Sequence, residues 1–296
     1  MTTSTRREGF VEVPGGSVWY QIVGEGNGVP LLTLHGGPGA GHDYLDPLDV
    51  LGDERPVVFY DQLGCGKSDI PEDDSLWVVE RFVAELASLR QALGLDTVHL
   101  LGQSWGGMLA IEYMLSQPTG IVSLVLADTA ASMTAFEEDA RRLLADLPAD
   151  VRETIERCEA EGKTDSPEYQ AATLVFYQRH ICRLPEWPEP LMRTLGVLAA
   201  TPVYGIMWGP SEFKLTGTLA GWDRSERLGE IDVPTLVLSG RYDEAGPACQ
   251  KTLTEGIRQA EVRLFENSSH MPHVEEPEAF FAAVRDFLRR AEAGQS

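Results

Sequence analysis

The stretch VHLLGQSWGG, residues 98–107, decides how this chain is read. An apolar run of strand character leads into Gly102-Gln103-Ser104-Trp105-Gly106, and Trp105 to Gln117 then reads as a helix stopped by Pro118. A serine flanked by glycines at a strand-to-helix turn suits a nucleophile. The sharp turn exposes the hydroxyl, and only small residues beside it let strand and helix approach. The same string alone also describes a plain Gly-rich turn. The strand before it, the helix after it and the further Gly107 favour the nucleophile.

Outward from that point the same pattern recurs. PLLTLHGG (30–37), VVFYDQ (57–62), SLVLADT (123–129), TLVLSGRYD (235–243) and VRLFENSSH (262–270) are apolar runs that end in polar loops. Residues 10–13 and 18–23 read as strands around the turn PGG. Helical spacing marks 77–95, with Gly94 placed to end the helix, and FFAAVRDFLRR (280–290) closes the chain as an amphipathic helix. Strand–helix alternation predicts a mostly parallel sheet with helices on both faces. It lapses over 131–225, where AFEEDARRLLADL (135–147) is helical and no strand stands out. The expected organisation is therefore a core of 1–130 and 226–296 carrying a helical lid, 131–225, over the strand ends. Such a lid predicts a closed pocket, typically ~300–1,000 Å³.

Composition limits the function. With 296 residues and 43% hydrophobic content, the chain suits one core with an insertion. A formal net charge of −22 lacks the basic footprint that nucleic acid or an anionic membrane requires. The polar opening MTTSTRREGF has no apolar stretch behind it, and no run approaches the roughly 20 apolar residues of a membrane helix, so a cytoplasmic protein is expected. Cys65, Cys158, Cys182 and Cys249 are widely spaced and read as free thiols, with no metal or cofactor implied.

A serine hydroxyl needs a base, and the chain has six histidines. His35 and His99 lie in or beside strands ahead of the serine, His42 in a loop or early helix, and His180 in the lid. His270 and His273 follow the last strand. Asp243 ends TLVLSGRYD, so Ser104, Asp243 and His270 stand in the chain order of an α/β-hydrolase fold. His270 is preferred because it follows the strand directly, whereas His273 adjoins the last helix and reads as packing. A metal reading of HMPH lacks a third ligand. The oxyanion hole needs two backbone N–H groups: Trp105, after the nucleophile, and Gly37 in HGGPG (35–39). DQLGCGKS (61–68) imitates a phosphate loop but carries Asp61 where that pattern needs glycine, so Asp61 is assigned to the turn. A carboxylate nucleophile is excluded because Ser104 occupies the elbow.

HGGPG, DQLGCGKS, GQSWGG, MWGPSEF (207–213) with TGTLAGWD (216–223), and GRYDE (240–244) followed by SSHMPHVEEPE (268–278) resemble the proline iminopeptidase family, from about residue 10 to 290. The resemblance implies an α/β-hydrolase fold with an inserted helical lid. It also implies a serine aminopeptidase that removes proline or another small or hydrophobic N-terminal residue from short peptides or aminoacyl amides, without cofactor. By resemblance Ser104, Asp243 and His270 form the triad, Gly37 and Trp105 the oxyanion hole, and Glu212 and Glu244 the amine site. Carboxylates suit a substrate whose free ammonium must be read. Phe176, Tyr177, Tyr204 and Trp208 are read mainly as lid packing that could also line an acyl pocket. Alternatives are an aminoacyl-amide hydrolase acting on a secondary-metabolite intermediate, an esterase of uncharged acyl substrates, and a non-catalytic receptor on the same scaffold.

Overall fold

The computed structural model describes residues 5–294; residues 1–4, the start of the polar N-terminal stretch, and 295–296 lie outside the described residues. Eight strands form one sheet: β1 (Arg6–Val13), β2 (Gly16–Val23), β3 (Leu31–Leu34), β4 (Val57–Tyr60), β5 (Val98–Gln103), β6 (Ile121–Ala127), β7 (Thr235–Gly240) and β8 (Ala260–Phe265). Their order is β1-β2-β4-β3-β5-β6-β7-β8. The β1–β2 and β2–β4 pairs are antiparallel and the other pairs parallel. The inner strands β3, β4, β5, β6 and β7 are buried at every residue. Strands covered on both faces need apolar side chains on both, so these read in the sequence as unbroken apolar runs. β1 starts at Arg6, ahead of the expected residue 10, because an exposed edge strand pairs through its backbone and its RREG start carries no apolar signal.

The helices are α1 (Val79–Ala92), α2 (Trp105–Leu115), α3 (Met133–Ala145), α4 (Ala149–Ala160), α5 (Pro167–His180), α6 (Glu189–Ala200), α7 (Val203–Met207), α8 (Pro247–Gly256), α9 (Pro272–Glu275) and α10 (Pro277–Ala293). Gly94, at φ +64°, turns the chain out of α1. Alternate strand residues feed opposite cores. Leu100, Leu124 and Val237 pack on the side of α1 and α2, with Phe82, Leu86 and Leu109. Leu101, Val125 and Leu238 pack on the other side against Leu48, Phe280, Val284 and Phe287.

Between β6 and β7 the chain runs through α3 to α7. Among the described residues of 131–225, extended pairing is confined to two isolated bridges, Ser132 with Asp223 and Ser211 with Lys214. Ser132 caps α3 by accepting the Ala135 N–H, and Ser166 caps α5 in the same way through Tyr169, with Pro167 in the first turn. Ser132 also donates to Asp223 at 2.6 Å, pinning the two ends of the helical segment together. No helix among the described residues is long and apolar enough to cross a membrane.

Candidate active site

Ser104 sits between β5 and α2 at φ +56°, ψ −124°, a conformation that side chains other than glycine enter at a cost of about 1–3 kcal/mol. Crowding around the turn accounts for its glycines. A Cβ on Gly102 would lie 2.2 Å from the Gly106 carbonyl oxygen, and one on Gly106 2.0 Å from that of Leu34. The Ser104 N–H donates to the Ala127 carbonyl at 3.0 Å, and its carbonyl accepts the Thr129 hydroxyl at 2.6 Å. The backbone at Ser104 is thus fixed from the neighbouring strand end as well as by its own helix, whose Gly107 and Met108 N–H groups reach the same carbonyl.

His270 Nδ1 lies 2.7 Å from Asp243 Oδ1. Asp243 also accepts the Ala245 N–H at 3.1 Å and the Ser239 hydroxyl at 3.3 Å. Burial disfavours the charged imidazole, but the Asp243 charge and hydrogen bond outweigh it and hold the His270 pKa above its ordinary value. A chain of hydrogen bonds ties the loops together. The His270 carbonyl accepts from Gln103 Nε2 at 3.1 Å, Tyr44 donates to Gln103 Oε1 at 2.5 Å, and the Gly36 N–H donates to the Tyr44 hydroxyl at 2.7 Å. His180, at the end of α5, holds both other loops. Its carbonyl accepts the His270 N–H at 3.2 Å, and its Nδ1 donates to the Tyr242 carbonyl, next to Asp243, at 2.8 Å.

His273 has a different setting. Its Nε2 donates to the Tyr44 carbonyl at 3.1 Å, and its ring packs between Tyr44 and Phe280. Burial lowers its pKa to about 4, so it is neutral.

Gly37, at φ +108°, lines a chamber shared with Ser104 and His270. A Cβ on the preceding Gly36 would come 3.0 Å from the Ser104 Cβ, which shows how closely HGGPG passes the serine. Trp105 opens α2, so its N–H has no acceptor within the helix. Its indole donates to Gln62 Oε1 at 2.8 Å, anchoring the helix start.

Glu244 is 1% exposed, with Oε1 3.8 Å from His270 Nε2. No N–H or hydroxyl among the described residues donates to its buried Oε2, and the Glu212 carboxyl faces it. Burial, then the charges of Glu212 and Asp243, push the Glu244 pKa well up, and burial raises Glu212 too. Two buried carboxyls that face each other cannot both ionise cheaply, so in this state the pair holds a proton. A cation placed between them would let both ionise.

Two narrow chambers meet at Ser104. One, about 40 Å³, is lined by Gly37, Tyr44, Glu212 and the α6 residues Leu191, Leu195 and Leu198. The other, about 10 Å³, lies under Met133, Phe136 and Trp208. Both are far below the volume expected from the sequence, because apolar side chains of the helical segment pack down onto the serine. Of the four aromatic residues singled out in that segment, Trp208 lines the second chamber. Phe176 packs among α4 and α5. Tyr177 and Tyr204 face Glu212, whose charge adds to burial in pushing both phenols up.

Asp61 holds the DQLGCGKS turn, accepting the His42 and Lys67 N–H groups, each at 2.8 Å. His35, Asp61 and Cys65 cluster in a way that resembles ligands. However, His35 Nε2 already accepts the Gln62 N–H at 2.9 Å and Asp61 is committed to the turn, so the cluster reads as loop structure. All four cysteines are free and buried. The sequence did not single out Tyr44, Gln103, His180 or Asp128, which all contact this region. Asp128 alone carried a signal, as an acid at the carboxyl end of a strand.

Residues 29–277 match the family described as alpha/beta hydrolase fold, the class that this sheet and elbow define. A proline iminopeptidase from Heyndrickxia coagulans is 46% identical over 95% of this chain and 98% of its own. One from Clostridium botulinum is 41% identical over 96% and 98%. The chain belongs to the proline iminopeptidase family. Among solved structures, VinJ superposes with a TM-score of 0.94 at 40% identity, covering 96% of this chain and 99% of its own. The proline iminopeptidase of Mycobacterium smegmatis gives 0.92 at 37% identity, covering 98% and 100%.

Proposed function

We propose that this chain is a serine exopeptidase that releases an N-terminal residue, proline foremost, from short peptides or aminoacyl amides. Ser104 Oγ attacks the carbonyl carbon while His270 Nε2 takes the hydroxyl proton. Asp243 holds the ring and steadies its charge. The Gly37 and Trp105 N–H groups receive the tetrahedral oxygen. Collapse breaks the C–N bond, and His270 returns the proton to the departing amine. A water, deprotonated by His270, then opens the acyl-enzyme and frees Ser104.

The observation that carries the exopeptidase reading is the Glu212–Glu244 pair beside the base, two buried carboxyls that face each other with no N–H or hydroxyl donor on Glu244 Oε2 among the described residues. An esterase of uncharged substrates gains nothing from two buried acids. A protonated N-terminal amine, primary or the secondary amine of proline, supplies both the charge and N–H donors. Prolyl and alanyl arylamides, free and N-acetylated, test this. The acetylated forms should fall at least tenfold in kcat/KM, because acetylation leaves buried acids unpaired at a cost of roughly 1–3 kcal/mol. Glu244→Gln should depress free-amine substrates far more than a simple acyl ester. Equal rates on free and blocked substrates would end the exopeptidase reading and leave the elbow in place.

The helical segment 131–225 acts in this reading as the lid, and α6 must shift to admit a residue. Short peptides should therefore be trimmed and the internal bonds of long chains spared, so incubation with casein followed by mass spectrometry should show no internal cleavage.

A further inference from the structure

Asp128 ends β6 one strand away from Asp243, and the mechanism above does not use it. Its N–H donates to the Leu238 carbonyl at 2.9 Å, and its Oδ1 accepts the Gly240 N–H at 3.1 Å. Its backbone is held at φ +50°, in the left-handed region. The residue is 1% exposed, and its Oδ2 is buried with no N–H or hydroxyl donor among the described residues. What faces that carboxyl is the Asp243 carboxyl, within hydrogen-bonding reach, with Glu275 beyond it and the Tyr44 hydroxyl nearby. His270 lines the same chamber.

Two buried carboxyls within hydrogen-bonding reach of each other do not both ionise cheaply; one keeps a proton and donates it to the other. The partners decide which. Asp243 already accepts three hydrogen bonds, from His270 Nδ1, the Ala245 N–H and the Ser239 hydroxyl. Asp128 has the Gly240 N–H alone. We infer that Asp128 is a neutral carboxylic acid whose Oδ2–H donates to Asp243, a positioning residue that fixes the triad acid and moderates its charge toward His270. The inference rests on Asp243 and His270 being the acid–base pair. Burial and the neighbouring Asp243 act together to push the Asp128 pKa well up, in the same direction.

Two variants respect the positive φ, because asparagine and glycine both tolerate it. Asp128→Asn keeps an N–H for Asp243 and an oxygen for Gly240 but cannot ionise. Asp128→Gly removes the carboxyl. The first readout needs no turnover: infrared difference spectra of wild type minus Asp128→Asn at neutral pH should contain the carbonyl stretch of a protonated acid. That separates failure of this inference from failure of the exopeptidase reading. In activity, Asp128→Asn should stay within about twofold of wild type, with the acid limb of its kcat/KM profile unmoved. Asp128→Gly should lose at least about tenfold in kcat with little change in KM, because the acid and base lose alignment. Its acid limb should move upward, because an unmoderated Asp243 charge raises the His270 pKa. A missing acid band, or a tenfold loss in Asp128→Asn, would overturn the inference. So would an Asp128→Asn acid limb displaced downward by about one pH unit, the mark of a lost carboxylate charge. A wild-type Asp128→Gly would overturn it too. If the glycine variant does not fold, the asparagine variant and its spectrum still decide.

Discussion

Ser104→Ala is expected to reduce kcat by roughly three to six orders of magnitude while leaving the fold in place. The size follows from the absence of a second nucleophile at the elbow, and the residual rate from binding and oxyanion donors that the variant keeps. Structural integrity follows from local geometry. The backbone of residue 104 donates its N–H to Ala127 and accepts, at its carbonyl, the Thr129 hydroxyl and the Gly107 and Met108 N–H groups, and none of these uses the side chain. Alanine meets the same φ +56° as serine, so the strain does not change. Turnover of prolyl arylamide, with circular dichroism as the folding control, measures this. A folded variant that keeps a tenth of wild-type activity would remove Ser104 from the mechanism. A fluorophosphonate should label wild type and not the variant, an outcome that a non-catalytic receptor would not give.

The same elbow explains what could be read without coordinates. Buried parallel strands need apolar residues on both faces, so VVFY, VHLLGQ and TLVLSG announced themselves, and the polar loop at the end of each strand drew attention to Ser104, Asp243 and His270. Two elements outside the sheet were quieter. The 3₁₀ turns at Asp43–Asp53 bury Tyr44, Leu45, Leu48 and Leu51 but are interrupted by Pro47, which argues against a helix in the sequence, and the helix Pro247–Gly256 buries only Cys249 and Leu253, too few for a clear apolar stripe. Tyr44 belongs to that first segment, and its hydroxyl, which accepts the Gly36 N–H, reaches Gln103, 59 positions further along the sequence. No local pattern encodes such a contact. The same holds for His180, which the sequence placed in the helical insertion and the fold returns to the loops of Asp243 and His270. Chamber size was illegible for a related reason: it depends on how Leu191, Leu195 and Trp208 pack, not on how many residues lie above the serine.

His270→Ala should match the serine variant in severity, whereas His273→Ala should keep most of the activity and lose stability. The two residues share one loop and differ in what they touch. His270 is bound to Asp243 through Nδ1 and shares both chambers with Ser104, leaving Nε2 for a proton. His273 spends its Nε2 on the Tyr44 carbonyl, and burial lowers its pKa to about 4, far from what a base at neutral pH needs. Removing it opens a cavity beside Phe280 and frees a buried carbonyl, a loss of about 1–3 kcal/mol that thermal unfolding would register. The pH profile adds a second distinction. A base works when neutral, so kcat/KM should fall as pH drops through the His270 pKa. Asp243 raises that pKa, so the acid limb should lie above the range of an ordinary histidine. Asp243→Asn removes the charge responsible, so whatever activity survives should show an acid limb shifted to lower pH. If His273→Ala proves the silent enzyme and His270→Ala the active one, with both folded, the base has been assigned to the wrong nitrogen. The Gln103 and His180 contacts would then serve only to hold a loop.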